Sequence, residues 1–400
     1  MPPEKMHILI ALTYYRPHYS GLTIHAEREA RALAKRGHRV TVLTSRFDES
    51  LPGHEIKDGV EIVRPRVLFR LSKGVIMPSM PYWAWRLIKQ VDVVHLHVPQ
   101  FDAAPIAILS RMLAKPIVLT YHCDLRLPKG LIHYIANQVS NFMNHLTASL
   151  ADVIVHNTRD YAEHSAFMQR YLGKLQPIYP PVEVQTIKDT DRLAFREKYH
   201  IKPDQQIIGM AARLATEKGV EFLAQALPIV MEKYPHARVL FVGPYQNIVG
   251  EEQYALRLKP LIEQLDDHWT FLGIISPIEM AAFFHECEVT ILPSINSTES
   301  YGLVQVESIT CGTPVVASDM PGVRVPILET GTGCIVPPAN AADLAQGIIS
   351  ILDNPEEYRG RPDQFVQLST PDSVAKAYES AFEIAYQKSA ARRGNNLRSE

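Results

Sequence analysis

The feature that most constrains the fold is an alternation of short apolar runs with amphipathic helical segments. HILIAL (7–12) is typical of a buried strand, and residues 22–36 have the spacing of a helix with one apolar face. Gly37 ends this helix, and HRVTVLT (38–44) predicts the next strand. The runs VDVVHLHV, KPIVLTYH and ADVIVHN continue the pattern. Val/Ile-rich runs separated by helices predict a parallel sheet with helices on both faces.

The alternation stops at a polar stretch that contains two prolines, 179–192, and then starts again. The second set of predicted strands is QIIGMAA, ARVLFVG, WTFLG, EVTILP and TPVVAS, with helices near 218–234, 251–266, 277–286, 303–311 and 340–353. The fold class is therefore α/β, with two tandem doubly wound, Rossmann-like domains. The predicted divisions are 1–183 for the first domain, 184–370 for the second, 371–388 for a terminal helix and 389–400 for a flexible tail.

Composition excludes several classes of protein. Apolar residues make up 46% of the 400 residues, enough for large cores without disulfides or structural metals. The net charge of −2 argues against a general nucleic-acid binder. The four cysteines are far apart and show no metal-binding spacing, so we expect reduced thiols. Because neither a signal peptide nor an apolar run of about 18 residues is recognisable, we expect a cytoplasmic protein.

Two glutamates flank a glycine in TESYGLVQVES (298–308), directly after the predicted strand EVTILP. Gly302 opens a predicted helix, whose first backbone N–H groups can bind a phosphate. Glu299 precedes that helix and Glu307 lies about one turn inside it, where ionised carboxylates could accept hydrogen bonds from vicinal hydroxyl groups. A phosphate flanked by hydroxylated rings indicates a nucleotide sugar. The alternative is that Glu299 caps the helix and Glu307 is a solvated helix residue.

Two cations follow another predicted strand, in GMAARLATEKG (209–219). Arg213 and Lys218 could together neutralise a diphosphate, although surface cations are the more common case. Gly21 lies where the first predicted strand leads into the first helix. From a facing domain it could close over the same phosphates, but the loop does not contain G-x-G-x-x-G.

Histidines near strand ends are the remaining candidates. His95 and His97 share one face of a strand, but no third metal ligand is visible at a suitable spacing, so we favour hydrogen-bonded histidines. His122 ends another strand at the predicted edge of the cleft, where it could contact a sugar hydroxyl. The D-x-D motif at 189–191 precedes a helix between the domains, and we interpret it as a helix start rather than a metal site.

Together these motifs resemble the retaining, nucleotide-sugar-dependent glycosyltransferases of the GT-B fold, specifically glycosyltransferase family 4 (glycosyl transferases group 1). TESYGLVQVES followed by CGTPVVAS is similar to the E-x7-E signature of that family, and ARLATEKGVEFLAQAL resembles its donor-phosphate segment. VDVVHLHVP, LTYHCD, ADVIVHNT and ETGTGCIVPPAN extend the resemblance over nearly the whole chain. It implies two domains that face each other across a cleft, with the C-terminal helix crossing back to the first domain.

The resemblance also implies roles for individual residues. Arg213 and Lys218 would bind the diphosphate, Glu299 would hold hydroxyls of the transferred sugar, and Glu307 would hold the ribose. His122 would contact the donor sugar near its reacting carbon. The other donor contacts would come from Gly21, Gly273, Ile275, Gly302, Leu303 and Val304, with the segment from Gly273 to Ile275 along the base.

One position departs from the family pattern. The first loop of the family usually has a glycine pair followed four residues later by a histidine, and here the pair reads Ser20-Gly21 with His25 in register. Gly21 keeps the position that approaches the phosphate. Ser20 would narrow the loop or add a hydrogen bond, which would alter the geometry on the acceptor side.

These roles imply transfer of a hexosyl group from UDP- or GDP-hexose to a hydroxyl acceptor. Double displacement needs two carboxyl groups about 5–5.5 Å apart, and no such pair is evident near His122. We therefore expect attack from the face that the diphosphate leaves, with retention of configuration. The cations and the helix dipole would replace a metal, so we expect no cofactor. The alternatives are a nucleotide-sugar epimerase of the same fold and a non-catalytic nucleotide-sugar-binding or scaffold protein.

Two segments of the first domain give information on the type of acceptor. Aromatic and cationic residues are interleaved in 67–89, and 125–146 is cationic at its start and amphipathic beyond. Such surfaces suit the headgroup region of an anionic membrane, which would place the protein at the inner membrane face with a lipid-linked acceptor. The simpler interpretation, which we favour from the sequence alone, is that the tryptophans of 79–89 pack on the sheet and the acceptor is a small sugar or metabolite.

Overall fold

A computed structural model describes residues 3–71, 74–124, 131–246, 248 and 250–396. The chain forms two compact units. The first unit combines Met1–Pro181 with Leu368–Glu400, and the second unit is Val182–Gln367. The second unit is therefore an insertion in the sequence of the first.

The first unit is built on a sheet with the strand order β10-β9-β8-β7-β1-β2-β4-β3 and a separate β5-β6 hairpin. The strands are β1 (His7–Ala11), β2 (Arg39–Leu43), β3 (His54–Lys57), β4 (Val60–Val63), β5 (Phe69–Leu71), β6 (Gly74–Ile76), β7 (Val93–Val98), β8 (Ile117–Tyr121), β9 (Val153–His156) and β10 (Leu175–Pro177). Neighbouring strands of the large sheet are parallel, except that β3 runs antiparallel to β4 at one edge.

Helices cover both faces of this sheet. They include α1 (Gly21–Lys35), α2 (Met80–Ile88), α3 (Ala103–Met112), α4 (Leu131–Leu150) and α5 (Arg159–His164). Successive side chains of β1 point to opposite faces, as the pleat requires. Ile8 and Ile10 enter the core that contains α1, whereas Leu9 and Ala11 enter the core that contains α2 and α3. This two-sided burial explains why the strands read as continuous apolar runs.

The second unit has a parallel sheet with the order β13-β12-β11-β14-β15-β16. Its strands are β11 (Ile207–Ala211), β12 (Arg238–Val242), β13 (Trp269–Gly273), β14 (Val289–Leu292), β15 (Val315–Ser318) and β16 (Gly333–Val336). The helices in this part of the chain are α6 (Asp189–Lys198), α7 (Val220–Lys233), α8 (Glu252–Glu263), α9 (Pro277–Glu286), α10 (Leu303–Thr310), α11 (Val325–Thr330), α12 (Ala341–Asp353) and α13 (Asp363–Leu368). The prediction of two doubly wound parallel-sheet units is confirmed.

The last helix, α14 (Pro371–Asn396), returns to the first unit, as predicted. Tyr378 and Phe382 of this helix are fully buried against the sheet, in the same core as α1. The Tyr378 hydroxyl also hydrogen-bonds Thr120 Oγ1 at 3.0 Å and His25 Nε2 at 3.1 Å. The helix is longer than predicted, because the expected tail from 389 onward is helical as far as Asn396. Residues 397–400 lie outside the described part of the chain.

None of the helices in the described part of the chain combines the length and the apolar composition needed to cross a membrane. The Asp189–Asp191 motif forms the first turn of α6, where the Asp191 carboxylate accepts a hydrogen bond from the Lys188 N–H at 2.8 Å. This contact is the helix-start role expected for the motif.

Candidate active site

The strand order of the second unit reverses between β11 and β14. β12 and β13 extend the sheet on one side of this pair, and β15 and β16 extend it on the other. In a doubly wound sheet, such a reversal leaves a crevice at the carboxyl ends of the two central strands, where ligands bind. The loops that leave β11 and β14 belong to the two motifs singled out in the sequence, 209–219 and 298–308.

Backbone contacts hold these two loops against each other. The Ile295 N–H donates to the Glu217 carbonyl oxygen at 3.1 Å. Gly219 has a φ of +65°, and a Cβ atom there would lie 2.1 Å from the Pro293 carbonyl oxygen. Because only glycine tolerates both this φ and this approach, the N terminus of α7 can lie directly beside the end of β14.

Two ion pairs occupy these loops. Lys218 Nζ lies 2.5 Å from Glu299 Oε2, and the two side chains are 22% and 12% exposed. The Ser294 hydroxyl donates to the same Glu299 oxygen at 3.4 Å. The Arg213 guanidinium donates to Glu217 at 2.7 Å. The structure thus places the predicted Arg213, Lys218 and Glu299 at adjacent strand ends and adds Glu217, whose position four residues after Arg213 could have indicated the pair.

The turn into α10 requires a glycine. Gly302 has a φ of +81°, and a Cβ atom there would lie 2.3 Å from Cδ2 of the buried Leu292. The Gln305 side-chain amide donates to the carbonyl oxygens of Tyr301 and Val323, the latter at 2.9 Å. These contacts fix the backbone that leads from β14 into the helix.

Leu303 and Val304 form the first turn of α10, and both are half-buried. The first N–H groups of a helix have no partner within the helix, so this turn suits an anion. Glu307 lies one turn further along and is also half-buried. Burial and the Glu307 charge together raise the pKa of the neighbouring Cys311 thiol to about 12, so that thiol stays protonated.

Gly273 and Ile275 lie farther along the same sheet edge. Gly273 ends β13 with a φ of +70°, and its carbonyl oxygen accepts a hydrogen bond from the Gly243 N–H at 2.8 Å. Ile275 is half-buried and directly precedes Ser276, the N-cap of α9. β12 separates β13 from β11, so this segment stands two strands away from the loop that carries Arg213 and Lys218.

The sheet of the first unit reverses between β1 and β7. Gly21 is the first residue of α1, after β1, and His122 follows β8, the strand next to β7. Ser20 caps α1: its hydroxyl accepts from the Thr23 N–H at 3.2 Å, while Thr23 Oγ1 accepts from the Ser20 N–H at 2.8 Å. The serine that departs from the family pattern therefore makes a reciprocal helix cap.

His122 belongs to a buried layer of histidines. Its side chain and backbone are together only 8% exposed, and its Nε2 lies 2.9 Å from His97 Nδ1. The rings of His122 and His25 pack edge to face, 5.1 Å apart. Burial, with the neighbouring histidines, holds the pKa of His122 well below its usual range. The imidazole is therefore neutral at physiological pH and can act as a hydrogen-bonding group rather than as a cation.

Glu29 of α1 lies in the same buried layer. Its Oε1 is 2.9 Å from His95 Nδ1, and its Oε2 is 3.5 Å from His97 Nε2. The sequence does not show Glu29 as a third group beside these histidines, because it comes from an element distant in the chain. The available signal was an acidic residue among Ala26, Ala30 and Leu33 on the apolar face of α1.

Comparisons with known proteins identify the family of this chain. The chain matches the family described as glycosyl transferases group 1 over residues 191–365 and the family described as Glycosyltransferase Family 4 over residues 19–186. The two matches together span most of both units. The chain belongs to the group 1 glycosyltransferases. It is a transferase of the GT-B fold that uses a nucleotide-sugar donor.

The glycosyltransferase is 24% identical over 364 residues to a D-inositol 3-phosphate glycosyltransferase of Pseudarthrobacter chlorophenolicus, covering 84% of this chain and 82% of that one. It is 27% identical to a phosphatidyl-myo-inositol mannosyltransferase of Mycobacterium tuberculosis, covering 84% of each chain. Among solved structures, Anabaena Alr3699/HepE in complex with UDP and glucose has a TM-score of 0.73 at 18% identity, covering 94% of this chain and 99% of that one.

The turn into α10 gives a testable contrast between two glycines with the same φ of +81°. We expect Gly302→Ala to lower the thermal unfolding midpoint of the glycosyltransferase more than Gly312→Ala, measured by scanning calorimetry. In both variants an alanine must adopt a left-handed backbone conformation, which costs about 1–2 kcal/mol. Only the alanine at 302 also clashes with Leu292, since nothing lies within 4 Å at 312, and overpacking adds about 1–3 kcal/mol. Equal midpoints for the two variants would contradict the described turn.

Proposed function

We propose that the glycosyltransferase moves a hexosyl group from UDP- or GDP-hexose to a hydroxyl acceptor, with the donor bound in the second unit. The observation that carries this proposal is the position of Arg213, Lys218, Glu299 and the N terminus of α10 at the strand-order reversal between β11 and β14. Cations and the N-terminal turn of a helix at one crevice are complementary to a diphosphate. UDP is also the nucleotide named for the HepE complex.

The ion pairs indicate how the donor would be accommodated. Lys218 already contacts Glu299, so a diphosphate that accepts from the ammonium would leave the Glu299 carboxylate free to accept from hydroxyls of the transferred sugar. Arg213 would exchange its hydrogen bond with Glu217 for a phosphate oxygen in the same way. Glu307, one turn into α10, would hold the ribose, and the segment from Gly273 would lie along the base.

The chemistry we propose is attack on the same face that the leaving group occupies. The bond between the anomeric carbon and the diphosphate oxygen breaks, and the acceptor oxygen bonds to that carbon. The acceptor proton passes to the departing diphosphate oxygen, which serves as the base. Arg213, Lys218 and the α10 dipole would stabilise the negative charge that develops, so no metal is needed on the diphosphate. His122 and Gly21, from the first unit, would complete the donor contacts.

The acceptor proposal draws on the names of the relatives. One relative is named for D-inositol 3-phosphate and another for phosphatidyl-myo-inositol, which share an inositol ring with a phosphate group. We propose an acceptor of this type, either free or carried by a lipid. A non-catalytic nucleotide-sugar-binding role is disfavoured by the transferase families that the chain matches.

A second feature favours the lipid-carried acceptor. The β5–β6 hairpin and α2 present Phe69, Tyr82 and Trp85 to solvent, with exposures of 52%, 55% and 43%. Lys89 Nζ lies 3.4 Å from the centroid of the Trp85 ring. Aromatic rings beside cations suit the headgroup region of an anionic membrane. In contrast, Trp83 packs against the core of the first unit, so the packing interpretation of this helix holds for that tryptophan.

The other segment predicted to contact lipid is only partly described, since 125–130 lie outside the described residues. Within α4, Val139 and Phe142 are exposed, at 42% and 65%. We propose that this part of α4 and the hairpin–α2 surface contact a membrane that carries the acceptor.

The first test concerns the charged residues at the crevice. We expect Arg213→Ala, Lys218→Ala and Glu299→Ala each to lower the turnover number about 10²–10³-fold, because one preorganised polar group that stabilises the transition state is worth about 3–4 kcal/mol. Transfer of radiolabelled sugar is measured with the UDP- or GDP-hexose that gives the largest thermal shift with the wild-type protein. Lys233→Ala is the matched control, since Lys233 is an exposed cation at the opposite end of α7. Wild-type turnover in Arg213→Ala would overturn the diphosphate assignment.

The second test concerns mechanism. We expect the product to keep the anomeric configuration of the donor sugar, observed by proton NMR during the reaction. We also expect the rate to be unchanged by EDTA, because Arg213, Lys218 and the α10 N terminus neutralise the leaving group. An inverted product would exclude same-face attack. Loss of activity in EDTA with recovery in manganese would show that a metal binds the diphosphate.

The third test concerns the membrane surface. We expect the protein to float with anionic liposomes at low salt, to float less at high salt, and not to float with neutral liposomes. Phe69→Ser combined with Trp85→Ser should abolish flotation, because the exposed rings supply the apolar contact. Leu256→Ser is the control, since Leu256 is 71% exposed but lies in the second unit. Failure of the wild-type protein to float at low salt would favour a small soluble acceptor.

A further inference from the structure

Three side chains from two elements meet in the buried histidine layer of the first unit. Glu29 comes from α1, and His95 and His97 come from β7, whose alternation points both rings toward α1. Each of the three side chains is 0% exposed. One ligand atom from each residue can be chosen so that all three lie within 4.8 Å of one another.

The polar atoms that face one another here are not satisfied by ordinary hydrogen bonds. Both Glu29 oxygens, His95 Nδ1 and His97 Nε2 are buried, and none of these atoms makes a well-directed hydrogen bond to a residue that the structure describes. His25, whose Nε2 lies 3.6 Å from Glu29 Oε2, and the Tyr378 hydroxyl also face this carboxylate. The 2.9 Å separation of His95 Nδ1 and Glu29 Oε1 is short enough for one, but the ring geometry does not direct an N–H along it. A buried polar group without a partner costs about 1–3 kcal/mol, so four such atoms in one place need a physical explanation.

A divalent cation fits this arrangement. Zinc binds imidazole nitrogen and carboxylate oxygen at about 2.0–2.2 Å, which places ligand atoms about 3.3–3.6 Å apart in a tetrahedron. The separation of His97 Nε2 and Glu29 Oε2 is 3.5 Å, and that of His95 Nδ1 and Glu29 Oε1 is 2.9 Å. The second distance would have to open by a few tenths of an ångström. Because the two distances involve different Glu29 oxygens, the carboxylate would either bind through both oxygens or rotate. An ion would also compensate the buried carboxylate charge.

The second nitrogen of each ring is already held in the way that metal-bound histidines require. His95 Nε2 lies 2.7 Å from Thr120 Oγ1, and His97 Nδ1 lies 2.9 Å from His122 Nε2. Ligating histidines almost always donate their other N–H to such a partner, which fixes the tautomer and the ring orientation. Thr120 is in turn hydrogen-bonded to Tyr378 of α14 at 3.0 Å.

We propose that Glu29, His95 Nδ1 and His97 Nε2 bind a buried divalent cation of the zinc type in the first unit. With the metal on Nε2, His97 carries its proton on Nδ1 and donates it to His122 Nε2. The proton of His122 is then on Nδ1. Glu29 and His97 are therefore positioning residues for His122, acting through the metal and the hydrogen bond.

This cation is distinct from any metal on the donor diphosphate. Its ligands belong to the first unit, whereas Arg213 and Lys218 belong to the second. Because its ligands are fully buried, a chelator in native buffer reaches it only when the unit opens. A sugar-transfer rate that EDTA does not change is therefore compatible with this buried cation.

The proposal is tested by metal content. Untagged protein is produced with zinc in the medium, dialysed without chelator, and analysed for metals by mass spectrometry. We expect about one zinc per chain in the wild-type protein, as for a single structural site. Glu29→Gln and His97→Gln should each lower zinc content at least about tenfold, because each removes a ligand. His156→Asn is the matched control and should keep its zinc, since His156 is equally buried but lies outside the trio.

X-ray absorption at the zinc edge of the wild-type protein gives a result that does not depend on the folding of variants. We expect scattering from two imidazole rings and a carboxylate oxygen. Wild-type protein without zinc, zinc bound by sulfur, or full zinc content in folded Glu29→Gln would each overturn the proposal. These measurements do not use sugar transfer, so failure of the proposed function, seen as normal turnover in Arg213→Ala, is distinguished from failure of this site.

Discussion

The candidate site depends on one steric constraint, the approach of the loop after β11 to the end of β14. At Gly219 a side chain would penetrate the Pro293 carbonyl oxygen, so the two loops can touch only through a glycine. This contact brings the N terminus of α7, with Lys218 just before it, beside the segment that carries Glu299. A second glycine, Gly302, allows the chain to turn from β14 into α10 over the Leu292 side chain. The charges are therefore arranged by backbone geometry.

Much of this arrangement follows from sequence alone, for a physical reason. The carboxyl ends of parallel strands share one edge, so charged residues that follow buried runs must lie near each other, as Arg213, Lys218 and Glu299 do. The order of the strands does not follow from local pattern, and it is the reversal between β11 and β14 that selects the crevice. The antiparallel edge strand β3 and the β5–β6 hairpin were not predicted, because short, exposed strands lack a continuous apolar run.

The burial of Glu29 could not be predicted from the sequence pattern. An acidic residue in a helical segment rich in Arg, Lys and Glu reads as solvated, yet the structure buries it completely. Its partners lie on β7, far along the chain, and only the packing of α1 on the sheet joins them. The same layer contains His25, His122 and Tyr378, so polar groups from four elements meet inside an otherwise apolar core. Such a layer demands a specific partner for each atom and is encoded by tertiary structure rather than by local propensity.

Because α14 belongs to the first unit, that unit can complete its fold only after the second unit has been translated. The first unit lacks one covering helix until the whole of Val182–Gln367 has been translated, since Tyr378 and Phe382 are encoded after it. A nascent chain that has produced only the first 181 residues exposes the part of the sheet that α14 covers, which includes Val118 of β8 and Val153 and Val155 of β9. The inserted unit has its own cores and can fold first. A chain that ends anywhere before α14 would therefore lack part of the core of the first unit, even if it contained every strand of that unit's sheet.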